Sequence, residues 1–223
     1  MGFLGNIIDF IIHIDVHISE LIRDFGLWTY AILFLVITAE TGLVIAPLLP
    51  GDSLLFAAGT FARRGDLEVW VLFVSLTIAA VIGDALNYAI GRYLGPKLFR
   101  KEQGARFLKK EYLDRTHDFF EKYGPATIII ARFLPIVRTF APFVAGMGRM
   151  GYPKFFTYNV TGGIAWVGLF TFAGYYFANI PFVKEHFPLV IVAIVLISVV
   201  PMITEVIRRR RKAAAATAAS TEG

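Results

Sequence analysis

"IIIARFLPIVRTFAPFVAGM" (residues 128–147) is apolar enough to enter a lipid bilayer, yet it carries Arg132, Arg138, Pro135 and Pro142. A plain spanning helix is not built this way. An arginine at the centre of an isolated spanning helix costs about 2.5–3.5 kcal/mol on insertion scales. An interior proline removes a helix hydrogen bond and clashes with the preceding turn. In one continuous helix the two arginines would point about 240° apart at 3.6 residues per turn. Pro135 lies midway between them. It bends the chain, so the two guanidiniums can converge. A guanidinium fork matches phosphate bidentately, where lysine acts as a point charge. The stretch therefore reads as a helical hairpin that enters the membrane, breaks, and offers Arg132 and Arg138 to an anion with several oxygens.

A second broken stretch precedes it. "PLLPGDS" (47–53) places Pro47, Pro50 and Gly51 close together after the apolar run 27–46, and no helix continues through that. The next apolar piece, 54–62, would rise only about 14 Å as a helix, against a bilayer core of about 30 Å. It is a half-crossing, and residues 25–62 read as a re-entrant hairpin broken at Pro47–Asp52.

Composition sets the class. Of 223 residues, 57% are hydrophobic and 17% charged, and the mean hydropathy is +0.64. Soluble domains are about 45–50% apolar, so the chain reads as an all-α integral membrane protein. With no cysteine, disulfides, thiolate metal sites and cysteine nucleophiles are excluded. The net charge of +5 is no sign of nucleic-acid binding, because "RRRRK" (208–212) and the central loop hold much of it, as cytoplasmic segments do.

The remaining segments follow. Residues 1–24 form an amphipathic interfacial helix: Asp9, His13, His17, Glu20 and Asp24 fall on one stripe. Residues 69–95 span. Residues 96–122 carry eight Lys/Arg against five Asp/Glu and form a cytoplasmic loop. Residues 123–147 are the second re-entrant hairpin, 155–180 span, 187–207 form a C-terminal spanning helix, and 208–223 are a basic disordered tail. Residues 25–182 together make the core of the fold. Phe25-Gly26 and Tyr123-Gly124 open two like units at an offset of 98, which lays Glu40 over Arg138 and Thr41 over Thr139. A hairpin crosses zero times and the helix after it crosses once, so the two units form an inverted repeat. Lysine and arginine bias places 96–122 and 208–212 in the cytoplasm, and parity puts the N-terminal helix outside.

Glu40, Asp52, Asp84, Arg132 and Arg138 thus lie at or near membrane depth. Unpaired, they would cost about 10 kcal/mol together, so they face one another or a wet cavity. Asp84 and Arg92, on one helix, read as structural charges on a packing face with Gly83, Gly91 and Gly95. Glu40, Asp52, Arg132 and Arg138 sit beside the breaks and read as functional. His13 and His17 read as polar stripe rather than metal ligands. Trp28, Trp70 and Trp166 read as interfacial anchors or packing residues.

At these residues the chain resembles the DedA family, also known by the VTT or SNARE-associated domain. The resemblance rests on Glu40 followed by "PLLPGD" (47–52), on "GDALNYAIGRYLG" (83–95), on "ARFLPIVRTFAPFVAGMGRM" (131–150) and on "NVTGGIAW" (159–166), and covers residues 25–180. It implies two re-entrant hairpins meeting at mid-membrane and transport of lipid-phosphate headgroups between leaflets, undecaprenyl phosphate foremost, coupled to protons in a bacterial cytoplasmic membrane. It places the family's essential acids on Glu40 and Asp52 and its essential arginines on Arg132 and Arg138. The expected function is a proton-coupled lipid-phosphate flippase without catalytic residue, metal or cofactor, with self-association left open. The alternatives are an uncoupled phospholipid scramblase, a proton-dependent small-ion or drug antiporter, and a lipid-phosphate phosphatase. The phosphatase lacks a histidine near the arginines to act as acid or base.

Overall fold

The computed structural model describes residues 14–43, 51–100, 117 and 120–194. Every regular element among these residues is helical. In chain order they are α1 (Ile14–Phe25), α2 (Trp28–Gly42), α3 (Gly51–Arg64), α4 (Val69–Arg100), a 3-10 turn (Gly124–Ala126), α5 (Thr127–Ala131), α6 (Pro135–Met147), α7 (Tyr152–Phe177) and α8 (Pro181–Glu185). Residues 187–194 are helical as well.

α1 has the amphipathic character read from its sequence. Ile18 is buried and Ile22 packs beside it, while Glu20 and Asp24 are exposed. Residues 1–13 of that expected helix, His13 among them, lie outside the described residues. Gly26 then turns the chain at φ +52°, and Gly124 opens the later segment at φ +56°. Both unit openers adopt the left-handed backbone that glycine alone enters without strain.

Among the described residues, two helices are long and apolar enough to cross a membrane: Val69–Gly95 within α4 and Tyr152–Phe177, which is α7. At 1.5 Å per residue each reaches about 40 Å, beyond the bilayer core of about 30 Å. α4 runs on to Arg100, so the segment expected to be loop from residue 96 begins as helix. Of the expected C-terminal span, residues 187–194 are described. Phe187 and Ile191 are buried in the main core, with the Phe187 ring 6.3 Å from that of Phe56. Residues 195–223, including the expected basic tail, lie outside the described residues.

The two breaks are asymmetric. α2 ends at Leu43, whose backbone is extended. Residues 44–50, with Pro47 and Pro50, lie outside the described residues. Gly51 and Asp52 already belong to the first turn of α3 rather than to the break. In the second segment, Arg132, Phe133 and Leu134 form a turn between α5 and α6, and Leu134 is extended at φ −123° and ψ 103°. The proline that follows forces this, since its ring disfavours helical backbone in the residue before it. Pro135 then occupies the first helical position of α6, where its missing N–H costs nothing. Pro142 does not break the chain: α6 continues through it to Met147. The missing hydrogen bond to the Arg138 carbonyl is offset by close packing of α6 on α4.

Packing follows a crossed plan. α2 lies along α4 and α5 along α7, whereas α3 packs on α7 and α6 on α4. Each post-break helix therefore rests on the spanning helix of the other half. Both crossings use glycine in the same way. A Cβ on Gly59 would strike the Thr171 carbonyl, and one on Gly174 the Phe56 carbonyl. In the other crossing a Cβ on Gly146 would strike the Tyr88 carbonyl, and one on Gly91 the Phe143 carbonyl. Such small-residue contacts let helix backbones approach where no hydrophobic effect drives them together.

Candidate functional site

The crossed packing carries the buried charges to one place. Glu40 sits in the last turn of α2, Asp52 in the first turn of α3, Asp84 on α4, Arg132 in the turn after α5 and Arg138 on α6. Glu40, Asp84, Arg132 and Arg138 are all buried.

Arg138 is shared by two acids. Its Nη1 donates to Asp52 Oδ1 at 3.1 Å, and its Nη2 donates to Glu40 Oε1. Glu40 Oε1 also accepts from the backbone N–H of Gly51 at 3.1 Å, the first residue of α3. That N–H is one of the unpaired donors at a helix start, which favour negative charge. Asp52 Oδ1 also accepts from the indole Nε1–H of Trp166 at 2.8 Å. The Arg138 guanidinium carbon lies 4.5 Å from the centre of the Trp166 ring. Cation–π contact of this kind contributes about 2 kcal/mol when desolvated.

Arg132 forms a second node. Its Nη2 donates to Asp84 Oδ2 at 2.6 Å and to Asn159 Oδ1 at 2.5 Å. Asn159 is oriented in turn by its own Nδ2, which donates to the Val81 carbonyl at 3.0 Å. A Cβ on Gly162 would meet Arg132 Cδ at 3.0 Å and Nε at 3.1 Å, so a bare helix surface gives the arginine its passage. The Arg132 guanidinium carbon lies 6.0 Å from the Trp166 ring. The two arginines thus approach the same indole, Arg132 paired with Asp84 and Arg138 with Glu40 and Asp52.

A third contact ties the halves together. Asn87 of α4 is fully buried, and its Nδ2 donates to the carbonyls of Thr41 at 3.2 Å and Thr139 at 2.8 Å. These residues directly follow Glu40 and Arg138. The Thr41 carbonyl lies in the last turn of α2, where no helical donor remains. One amide therefore caps α2 and fastens it to α6 beside the Glu40–Arg138 pair.

Asp84 has the structural counter-charge role read for it, on a helix face where Gly83, Gly91 and Gly95 make close contacts. Asp84 pairs across the bundle with Arg132. Arg92, read as a charge on the same packing face, is instead exposed and donates to the Tyr88 hydroxyl at 3.1 Å. Trp28 and Trp70 are exposed, while Trp166 is fully buried and packs against both arginines. Its signal was present: Asn159, Gly162, Gly163 and Trp166 stand at i, i+3, i+4 and i+7, a polar and small-residue stripe on one face of an apolar helix. Asn87 gave no comparable signal, being a single amide in an apolar span. His17 faces Glu20 at 3.8 Å on the surface of α1, away from these groups.

The arrangement can hold and exchange charge. Two carboxylates surround one guanidinium, and an oxyanion can compete for the same donors. Arg138 Nε and Arg132 Nε and Nη1 are buried donors with no partner among the described residues.

Comparison with known proteins gives the family of the chain. A VTT domain matches residues 49–176. Protein DedA of Escherichia coli (strain K12) is 55% identical over 210 residues, covering 93% of this chain and 95% of that one. An uncharacterized membrane protein of Mycobacterium tuberculosis (strain H37Rv) is 45% identical over 178 residues, 79% of this chain and 78% of its own. Inner membrane protein YghB of E. coli (strain K12) is 35% identical over 178 residues, 80% and 78% of the two chains. No solved structure matches the chain. A domain match that takes in α3 through α7, with relatives similar along most of both chains, makes this protein a member of the DedA family of membrane proteins.

Proposed function

We propose that this protein is a flippase that moves a lipid phosphate, undecaprenyl phosphate foremost, across the bacterial cytoplasmic membrane with proton coupling. The observation that carries the reading is the buried Arg138 held between Glu40 and Asp52. A guanidinium that already accommodates two carboxylates, donated by different helices, is suited to exchange one of them for a phosphate oxyanion. Charge balance supplies the coupling. Glu40 and Asp52 already outweigh Arg138 by one charge; an incoming monoanion raises that excess to two, and a proton taken up by a carboxylate returns it to one. Loss of that proton then favours release of the anion.

The architecture supports the same reading. α2 and α3 have 15 and 14 residues, about 21–23 Å each, too short to span singly, as arms of a re-entrant hairpin would be. α5 and α6 supply the second hairpin. The matched glycine crossings, the two left-handed openers and the Glu40–Arg138 contact at the offset of 98 support an inverted repeat across residues 25–182. Relatives named as inner membrane proteins support the cytoplasmic membrane as the location.

The test is leaflet-resolved transport in liposomes containing undecaprenyl phosphate, with and without an imposed pH gradient. Movement that depends on the protein and accelerates with the gradient is expected. Equal movement of a phosphate-free polyprenol, or none of either lipid, overturns the reading. Inorganic phosphate released from a polyprenyl pyrophosphate would point to an enzyme instead.

A further inference from the structure

We propose that the two carboxylates around Arg138 have unequal roles: an incoming oxyanion displaces Glu40, while Asp52, held by Trp166, keeps its place and orients the arginine. The proposal rests on anion binding at Arg138 and concerns how that site exchanges its ligands.

The asymmetry lies in the guanidinium. Nε–H and the adjacent Nη2–H run parallel along one edge, the side-on fork that grips two oxygens of a phosphate. On Arg138 this edge is half open: Nε is buried without a partner among the described residues, and Nη2 is taken by Glu40. An oxyanion that seats on this edge gains Nε and, among the described residues, competes with Glu40 alone. The opposite donor, Nη1, goes to Asp52 and is not needed for the side-on grip.

Each acid has a different second support. Asp52 Oδ1 keeps the Trp166 indole N–H at 2.8 Å, from a fully buried ring that also lies against the guanidinium. Asp52 and Trp166 therefore fix Arg138 from one edge and one face, which leaves the other edge for exchange. Glu40 has the Gly51 N–H at the start of α3, so when it leaves Arg138 it stays solvated by a helix N-terminus. Glu40 Oε2 has no partner among the described residues, so little else holds that carboxylate in place. Among the described residues, the other charged groups facing this exchange are Asp84 of α4 and Arg132 of the α5–α6 turn. They are paired with each other and balance one another throughout.

The recognised chemistry is a phosphate oxyanion, on a lipid headgroup or free. The experiment uses the full chain in detergent with Trp28→Phe and Trp70→Phe, leaving Trp166 as the one tryptophan, with its indole labelled with nitrogen-15. Inorganic phosphate and dihexanoyl phosphatidate are titrated separately, which distinguishes the two sources. Asp52→Asn in the same background marks where the indole N–H resonance moves when its acceptor loses charge. Saturable binding of either probe is expected to leave the resonance in its carboxylate-bonded position. Glu40→Gln should bind the same probe about fivefold more tightly, because the displaced group no longer competes as an anion. Trp166→Phe, followed by calorimetry, should bind about tenfold more weakly, the effect of one charge-assisted hydrogen bond. Circular dichroism checks that each variant is folded, and the Glu40→Gln arm keeps Trp166 intact. A resonance that moves to the Asp52→Asn position on binding, or a Glu40→Gln variant that binds no more tightly, overturns the proposal. Absence of binding by a chain that still transports overturns this proposal alone. Absence of both overturns the flippase reading with it.

Discussion

Arg138 shows why arginine stands at this position. Its two Nη atoms reach carboxylates on different helices while its plane lies over Trp166. A lysine ammonium has three donors but no plane and no fork, so it cannot keep both carboxylates and the ring contact. Arg138→Lys is expected to insert into the membrane and to lose transport by about tenfold or more, read in the liposome assay. Unchanged transport would show that fork geometry is irrelevant. Asp84 makes the complementary point about stability. Removing one partner of a buried ion pair leaves the other uncompensated, at about 3–5 kcal/mol. Asp84→Asn should therefore lower the thermal unfolding temperature in detergent markedly. Adding Arg132→Gln should restore part of the loss, because the stranded charge is then gone. If the double variant unfolds earlier than the single one, Arg132 is stabilised by something other than Asp84.

At the scale of elements, the crossings of α3 with α7 and of α6 with α4 decide where the charges meet. Both crossings place a glycine against a carbonyl of the facing helix on each side. A methyl at Gly59 or Gly146 has no flexible side chain to push aside, only backbone. Gly59→Ala and Gly146→Ala are each expected to destabilise by about 1–3 kcal/mol and to reduce transport, because separating the helices moves Asp52 and Arg138 with them. Gly151→Ala is the control: a Cβ there meets nothing within 4 Å, its φ is −59°, and its melting temperature should stay unchanged. Equal stability of all three variants would mean that the crossings tolerate separation.

For the whole molecule, the inverted-repeat reading assigns the two hairpins to opposite faces of the membrane. Arg63, at the end of α3, and Glu121, before the second hairpin, are both exposed. The chain has no cysteine, so Arg63→Cys and Glu121→Cys each report on one site with no background. Membrane-impermeant thiol reagents added to sealed inverted vesicles should label one and spare the other, and the pattern should reverse in right-side-out cells. Labelling of both from the same side would remove the inverted topology.

The sequence by itself determined the class and the charged residues. Apolar runs of spanning length, two proline-broken stretches and five ionisable side chains at membrane depth follow from transfer free energies and from the covalent limits of proline. These act on each segment locally, so they are legible without a fold. Glu40, Asp52, Arg132 and Arg138 could be named on that basis. Their partners could not. Pairing depends on which helices cross, and crossing is set by contacts such as Gly59 with Thr171 and Gly91 with Phe143, between residues far apart in the chain. Only the tertiary structure decided that Asp84 belongs to Arg132, that Asn87 joins Thr41 to Thr139, and that Trp166 stands between the two arginines. It also decided that Pro142 lies within a helix, because packing across α6 offsets one lost hydrogen bond in a way that no local rule registers.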